Sequence, residues 1–403
     1  MLLLRPLTRR TVGVKLSARG LSSSLRLSQV QPQQQQPIAF VFDIDGVLMQ
    51  TKNPILPHAP MVLSHLKDHN IPFVLLTNGG GQTEQARVDF LNSALSPSVS
   101  EADVGDDSDS TKLLHTSQLI QSHTPMKNLV DKYKRVLVIG GLDPQARDVA
   151  LSYGFKEVIR PIDIVRATPN VWPYTRYTQH ELTHHSLSAT ESKIETEPID
   201  AVLVFNDPRD MGTDLQVTID ALCSDKGLFG TRRNSGASSP SVPIIWSNMD
   251  LLWSTGYPIP RFGQGAFRIS TRELYKRLND GKELEDTVLG KPWPVSYAFA
   301  EWVLGKEWRR INGSAQKGSK GIVPGLGVRP KEQLFKKVYM VGDNPESDIL
   351  GGNDYGWETI LVRTGVYKDG DFERNPKLAR PTLGVFDNVW EGVSAALKAN
   401  NIK

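Results

Sequence analysis

A single cysteine, Cys223, in 403 residues excludes an intramolecular disulfide framework, so the chain is not a small stapled secreted scaffold. No run reaches the roughly 18–20 consecutive apolar residues that a membrane-spanning helix requires. Charge of one sign is lacking too. The 47 Lys and Arg face 44 Asp and Glu, a net of +3, which argues against a broad nucleic-acid-binding surface. There is no internal repeat. What remains, with 39% hydrophobic and 23% charged residues, is an ordinary globular composition. The length allows two packed units or one domain carrying a large insert.

The most informative absence is local. No acidic residue precedes Asp43, whereas Arg5, Arg9, Arg10, Lys15, Arg19 and Arg26 all do. Serines and leucines fill the spaces between them (RGLSSSLRLSQV), and a basic, Ser-rich, acid-free segment of this kind describes a mitochondrial transit peptide. A secretory signal would need an apolar stretch of about 7–15 residues, and Arg5 cuts the candidate MLLL short. The tract QVQPQQQQP reads as a flexible tether with nothing to bury. Residues 1–36 are therefore expected to be leader and Gln-rich linker, with folding beginning near Ile38 and a mitochondrial, matrix location. Without the six leader cations, 41 Lys and Arg face 44 acids, a net of −3, so the folded part recommends no nucleic-acid partner.

Ile38–Phe42 is a short apolar run that stops at Asp43, the pattern of a buried strand ending in acid. Ala59–His69 has helical spacing, and Phe73–Leu76 is a second buried strand running into Thr77 and Asn78. Strand, helix and strand at this spacing predict a βαβ unit and a parallel sheet. The pattern recurs at Val338–Val341, Asp348–Tyr355 and Thr359–Val362, and Val389–Leu397 reads as a closing amphipathic helix. Between these blocks, strands are predicted at Val136–Ile139, Ala201–Phe205 and Pro243–Trp246, alternating with helices at Gln145–Tyr153 and Asp214–Leu222. The expected division is a first core part over 37–133, an inserted α/β module over 134–262, and a second core part over 263–403. Residues 96–110, 230–242 and 312–329 are too rich in Gly, Ser and charge to support a core and are expected to be mobile loops.

The strongest chemical signal is FVFDIDGVL at 40–48. Asp43 and Asp45, two residues apart just past a buried strand, can divide nucleophilic attack and proton transfer between them. Two acids so close also attract a divalent cation, and oxygen ligands beside a phosphate favour Mg²⁺. Thr77 and Asn78 offer a hydroxyl and an amide to phosphate oxygens at a second strand end. Lys291, in LGKP, supplies a point charge for a phosphoryl group. GDNPESD at 342–348 adds Asp343 and Asp348 for the metal. In open parallel sheets ligands bind beyond the carboxyl ends of the strands, so Asp43, Thr77 and Asp343 are expected to converge.

Taken in order, DxDGV, TN, KP and GDNxxxD resemble the four motifs of the haloacid dehalogenase (HAD) superfamily. The insert lies between the second and third motifs, and VLVIGG, IDAVLVFNDP and PIIWSNMD within it resemble subclass IIA. QSHTPMKNL, TPNVWPY and the leader resemble the mitochondrial cat-eye-syndrome critical-region subgroup. The resemblance implies an α/β Rossmann-like core with an inserted C2-type cap, and a Mg²⁺-dependent phosphatase acting on a small phosphorylated metabolite. It implies Asp43 as nucleophile and Asp45 as general acid and base. Thr77, with the Asn78 backbone, would hold the transferring phosphoryl oxygens, and Lys291 would neutralise charge on both Asp43 and the phosphate. Mg²⁺ would sit on Asp43, the Asp45 carbonyl and Asp343, with Asp348 as a direct ligand or one step removed. Association of copies through the cap is a further expectation. Two alternatives stand beside this reading: a binding or scaffold protein that keeps the fold without useful turnover, and action on a lipid-headgroup phosphate.

Several other features carry less. His180-Glu181-Leu182-Thr183-His184 fits the HExxH zinc-peptidase pattern, but its polar flanks predict a loop without a buried helix face. Cys223 reads as a packed thiol. Gly325-Leu326-Gly327 lacks the strand–helix context of a dinucleotide site. The stretch Trp246–Tyr257 is expected to be core more than substrate face.

Overall fold

The computed structural model describes residues 37–50, 55–95, 112–234, 236–253, 257–313 and 325–402. The leader and linker expected over 1–36, the insertion at 96–110 and most of that at 312–329 lie outside the described residues.

Strands β1 (Ile38–Phe42), β2 (Phe73–Leu76) and β3 (Leu119–Ile120) open the chain. Next come β4 (Arg135–Ile139), β5 (Glu157–Ile159), β6 (Ala201–Val204) and β7 (Ile244–Trp246). A two-stranded hairpin of β8 (Leu252–Trp253) and β9 (Arg261–Phe262) precedes β10 (Thr287–Val288). Strands β11 (Lys337–Gly342), β12 (Glu358–Val362) and β13 (Gly384–Phe386) close the sheet work. They form a six-stranded sheet in the order β13-β12-β11-β1-β2-β3 and a five-stranded sheet in the order β10-β7-β6-β4-β5. Every pairing in both is parallel.

Parallel strands buried on both faces have apolar residues at every position, and β1 does. Phe40 and Phe42 point to one side, where they pack with Tyr339, Phe73 and the helices Ala59–Asp68 and Val389–Ala399. Ala39 and Val41 point to the other side, against helix Pro294–Ile311. The central position of β1 follows from this two-sided burial, and it places the end of β1 at the middle of the sheet's edge.

The second module is larger than expected. Strand β10 hydrogen-bonds to β7, and Phe267, Tyr275 and Leu284 share a core with Val202, Val204 and Trp246. Its packing therefore runs to Val288, past the boundary expected at residue 262. Two residues, Thr287 and Val288, are enough to extend an existing edge strand, but too few to announce a strand in the sequence. The 230–242 segment lacks regular structure, as expected, but it is tied down: the Arg233 N–H donates to the Cys223 carbonyl, Ser241 N–H to Leu222, and Val242 is buried. The expectation of a mobile loop does not fit those anchors.

Candidate active site

The strand order β2-β1-β11 sets the ends of three neighbouring strands side by side. Register pairs Phe42 with both Leu75 and Val341, so Asp43, Thr77 and Asp343 emerge at one level. Asp43 is fixed by its N–H donating to the Val341 carbonyl at 2.9 Å, and Thr77 by its N–H donating to Ile120 at 3.0 Å.

Lys291 lies at the centre. Its ammonium is 2.8 Å from Asp43 Oδ1 and 2.7 Å from Asp348 Oδ1, and its side chain is only 2% exposed. Burial works to lower the Lys291 pKa, but Asp348 and Asp43 outweigh it and hold the ammonium above its ordinary value. Asp348, fully buried in the turn Pro345–Ile349, accepts from the N–H groups of Asp343 and Asn344 through its other oxygen. Both of its oxygens are thus engaged in holding the site together.

Asp343 faces Asp43 across the space between β1 and β11. Its Oδ2 accepts from Val366 N–H at 2.6 Å. Two glycines make room for it. A Cβ on Gly46, which also needs φ of +83°, would lie 2.5 Å from Asp343 Oδ2, and one on Gly365 would lie 1.9 Å away. Oxygens of Asp43, Asp343 and Asp348 lie within 4.8 Å of one another, the one such group of three metal-ligating side chains among the described residues. Burial, reinforced by Asp348, pushes the Asp343 carboxyl up to about 7. Burial likewise raises Asp43, with Asp348 and Asp343 adding to it against the pull of Lys291. Three carboxylates against one ammonium leave a surplus of negative charge in a dry, all-oxygen setting. That donor set fits a hard divalent cation.

Asp45 is exposed toward a cavity of about 330 Å³, which Thr77 and Gly79–Gly81 line from the core and Gly141, Leu142, Gln145 and Asn206 line from the second module. Thr77 Oγ1 accepts from Gly79 N–H at 3.0 Å, leaving its O–H free to donate into that space. The structure thus brings Asp43, Lys291, Asp343 and Asp348 into one cluster, with Asp45 and Thr77 on the adjoining cavity.

Asn78 is different. Its side-chain amide, expected at the phosphate, is consumed elsewhere: Nδ2 donates to the Lys291 carbonyl at 3.1 Å and to Asp250, and Oδ1 accepts from Lys291 N–H at 2.7 Å. Asn248 in turn donates to the Asn78 carbonyl at 3.2 Å. The side chain therefore braces the Lys291 backbone against the second module. Asn248 and Asp250 were not singled out from the sequence. Their partners lie 170 residues or more away, and no local pattern reports such a contact.

A second buried network joins the two modules. Gly81 N–H donates to His123 Nε2 at 3.1 Å, so the neutral ring carries its proton on Nδ1 and donates it to Tyr153 Oη at 2.7 Å. Tyr153 donates to Glu84 at 2.6 Å, and Lys127 pairs with the same carboxylate at 2.9 Å. Burial holds the fully buried His123 down at about 4. Between about pH 6.5 and 4 the unfolded chain binds a proton that the folded chain refuses, so stability is complete above this window and falls as pH drops through it. At pH 5 the loss is expected to be about 2 kcal/mol. Urea unfolding of wild type and His123→Gln at pH 7 and pH 5 checks this: the variant should lose that much less on acidification.

The HExxH segment is a short helix, Gln179–His184, where a loop was expected. Thr178 caps it, with Glu181 as the reciprocal partner, and Glu181 also pairs with Arg209. Glu181 therefore has a structural partner, and among the described residues no third metal-ligating side chain joins His180 and His184. Cys223 is a buried thiol whose pKa burial raises. Trp246 is core, packed edge-on to Phe267, but Trp253 and Tyr257 are about half exposed on and beside the β8–β9 hairpin. The stretch thus divides between core and surface.

Residues 40–156 match the haloacid dehalogenase-like hydrolase family and residues 288–392 match a second, HAD-hydrolase-like family, the two segments that carry Asp43, Asp45, Thr77, Lys291, Asp343 and Asp348. A Saccharomyces cerevisiae mitochondrial hydrolase is 43% identical over 361 residues, covering 90% of this chain and 96% of that protein. The chain is a haloacid dehalogenase-like hydrolase. A Schizosaccharomyces pombe fusion of cardiolipin synthase (CMP-forming) with a mitochondrial hydrolase is 40% identical over 95% of this chain and 57% of that protein. Among solved structures, a possible sugar phosphatase from Cytophaga hutchinsonii gives a TM-score of 0.54 at 16% identity, over 88% of this chain and 94% of that one. A 4-nitrophenylphosphatase from Thermotoga maritima gives 0.52 at 18% identity, over 90% and 97%. These likenesses show the HAD fold, with the six-stranded sheet as its Rossmann-like core.

Proposed function

We propose that this HAD hydrolase is a Mg²⁺-dependent phosphomonoesterase working through an aspartyl-phosphate. The observation that carries the reading is the Lys291 ammonium bridging Asp43 and Asp348 beside Asp343, with Asp45 on the adjoining cavity. An Asp43 oxygen attacks phosphorus while the bond to the leaving oxygen breaks, and Asp45 in its acid form gives that oxygen a proton. Asp45, now a carboxylate, takes a proton from water as the water attacks the phosphorus of the aspartyl-phosphate. Inorganic phosphate leaves and Asp43 is restored. Thr77 and Lys291 orient and neutralise the transferring group. Mg²⁺, held by Asp43, Asp343 and the Asp45 carbonyl with Asp348 supporting Lys291 and Asp343, would offset charge on the phosphoryl oxygens.

The cavity volume suits a small metabolite. Hydrolysis of p-nitrophenyl phosphate tests the reading: activity with Mg²⁺ is expected to disappear in EDTA and return when Mg²⁺ is restored. No hydrolysis under either condition would instead favour the binding or scaffold reading. The leader's composition and the name of the yeast relative support a mitochondrial location. The fission-yeast fusion to a phospholipid synthase favours, as a second reading, a glycerolipid headgroup phosphate as substrate.

A further inference from the structure

We propose that Arg87 forms a second anion-binding subsite, so that the preferred substrate is a phosphomonoester whose leaving group carries another anionic group, a carboxylate or a phosphate. The inference rests on the phosphatase reading and deepens it.

Asp45 and Arg87 are the charged residues lining the 330 Å³ cavity. Asp45 is committed to the leaving oxygen. Lys291 is committed too, with Asp43 and Asp348 both within 2.8 Å, and so can serve only the transferring phosphoryl group. Any other negative charge on the substrate needs another cation, and Arg87 supplies it.

Arg87, on helix Glu84–Leu95, is half-buried and has no acidic partner among the described residues. Its contacts are Met49 Sδ at 3.7 Å and the Phe90 ring at 5.3 Å, which position the guanidinium without neutralising it. A guanidinium in this state presents a fork of N–H donors matched to carboxylate or phosphate. Arg87 also lines a second cavity of about 560 Å³, and Gln82 and Gln145 border both spaces. It therefore stands where the catalytic cavity opens outward. Asp148 lines the outer space, which favours an anion held at Arg87 over one reaching beyond it.

The two walls of the cavity meet on one side. A Cβ on Gly81 would lie 2.4 Å from Asn206 Nδ2, so the core loop and the second module touch there.

The test compares kcat and KM for 3-phosphoglycerate and glycerol 1,3-bisphosphate against glycerol 3-phosphate, whose leaving group is neutral. Wild type, Arg87→Lys and Arg87→Gln are measured, with p-nitrophenyl phosphate as a common reference. Wild type is expected to favour one or both of the probes whose leaving group carries a second anionic group at least tenfold in kcat/KM, through KM. The two probes distinguish carboxylate from phosphate. Arg87→Gln should collapse that preference about tenfold or more, and Arg87→Lys should retain part of it. Equal treatment of all three probes by wild type, or an Arg87→Gln loss spread evenly over them, overturns the subsite. If p-nitrophenyl phosphate is not hydrolysed at all, the phosphatase reading fails on its own. The subsite is then read by calorimetric binding of 3-phosphoglycerate and glycerol 1,3-bisphosphate, which Arg87→Gln must weaken tenfold for at least one of them if the inference is right and leave unchanged if it is wrong.

Discussion

Replacing Asp43 by Asn is expected to lower phosphatase turnover about 10³-fold or more while the fold survives. The amide matches the carboxylate in shape but cannot form the acyl-phosphate. Stability should not suffer. Asp43 is one of three carboxylates crowded around a single ammonium, and burial already penalises its charged form. In EDTA the variant should melt no lower than wild type, and we expect it to melt higher. Steady-state kinetics and thermal unfolding on the same preparation check both halves. Unchanged turnover would remove Asp43 from the chemistry, and a collapse of melting temperature would mean that its role is structural.

The opposite substitution has the opposite effect on stability. Lys291→Met takes away the one cation that Asp43 and Asp348 share, and leaves two buried carboxylates facing each other. Breaking a buried pair by removing one partner costs about 3–5 kcal/mol, so Lys291→Met is expected to lose that much in EDTA. The loss should shrink in millimolar Mg²⁺, because a bound divalent cation relieves the same surplus charge. Activity should fall about 10²-fold or more even where the metal restores stability, since the ammonium also neutralises the transferring group. Chemical denaturation with and without Mg²⁺, alongside kinetics, separates the two effects. A stability loss independent of Mg²⁺ would show that Lys291 and the acidic cluster do not share one charge balance.

The parts of this site that were legible in the sequence are those written locally. Strands β1, β2 and β11 are short apolar runs with abrupt polar ends, so burial, direction and the strand-end position of Asp43, Thr77 and Asp343 could be read together. Their adjacency could not, because it depends on pairing across 300 residues, but a parallel sheet leaves few alternatives. Strands β3 and β10 are two residues each and exist only because a longer neighbour offers hydrogen bonds.

Asn78 shows a different limit. Its residue type suits phosphate as well as it suits a backbone brace, and only the approach of Lys291 from 213 residues away decides between them. Arg87 was passed over for a related reason. An arginine on a helix, two residues before an aspartate and three before a phenylalanine, looks like an ordinary surface residue until the second module closes a cavity over it.

The most direct test of the account is to catch the covalent step. Wild-type enzyme turning over p-nitrophenyl phosphate with Mg²⁺ is quenched into borohydride, which reduces an aspartyl-phosphate to homoserine, and the peptides are sequenced by mass spectrometry. The account predicts homoserine at position 43, dependent on substrate and absent from Asp43→Asn. Turnover with no reduced residue, or with reduction at another acid, would contradict it.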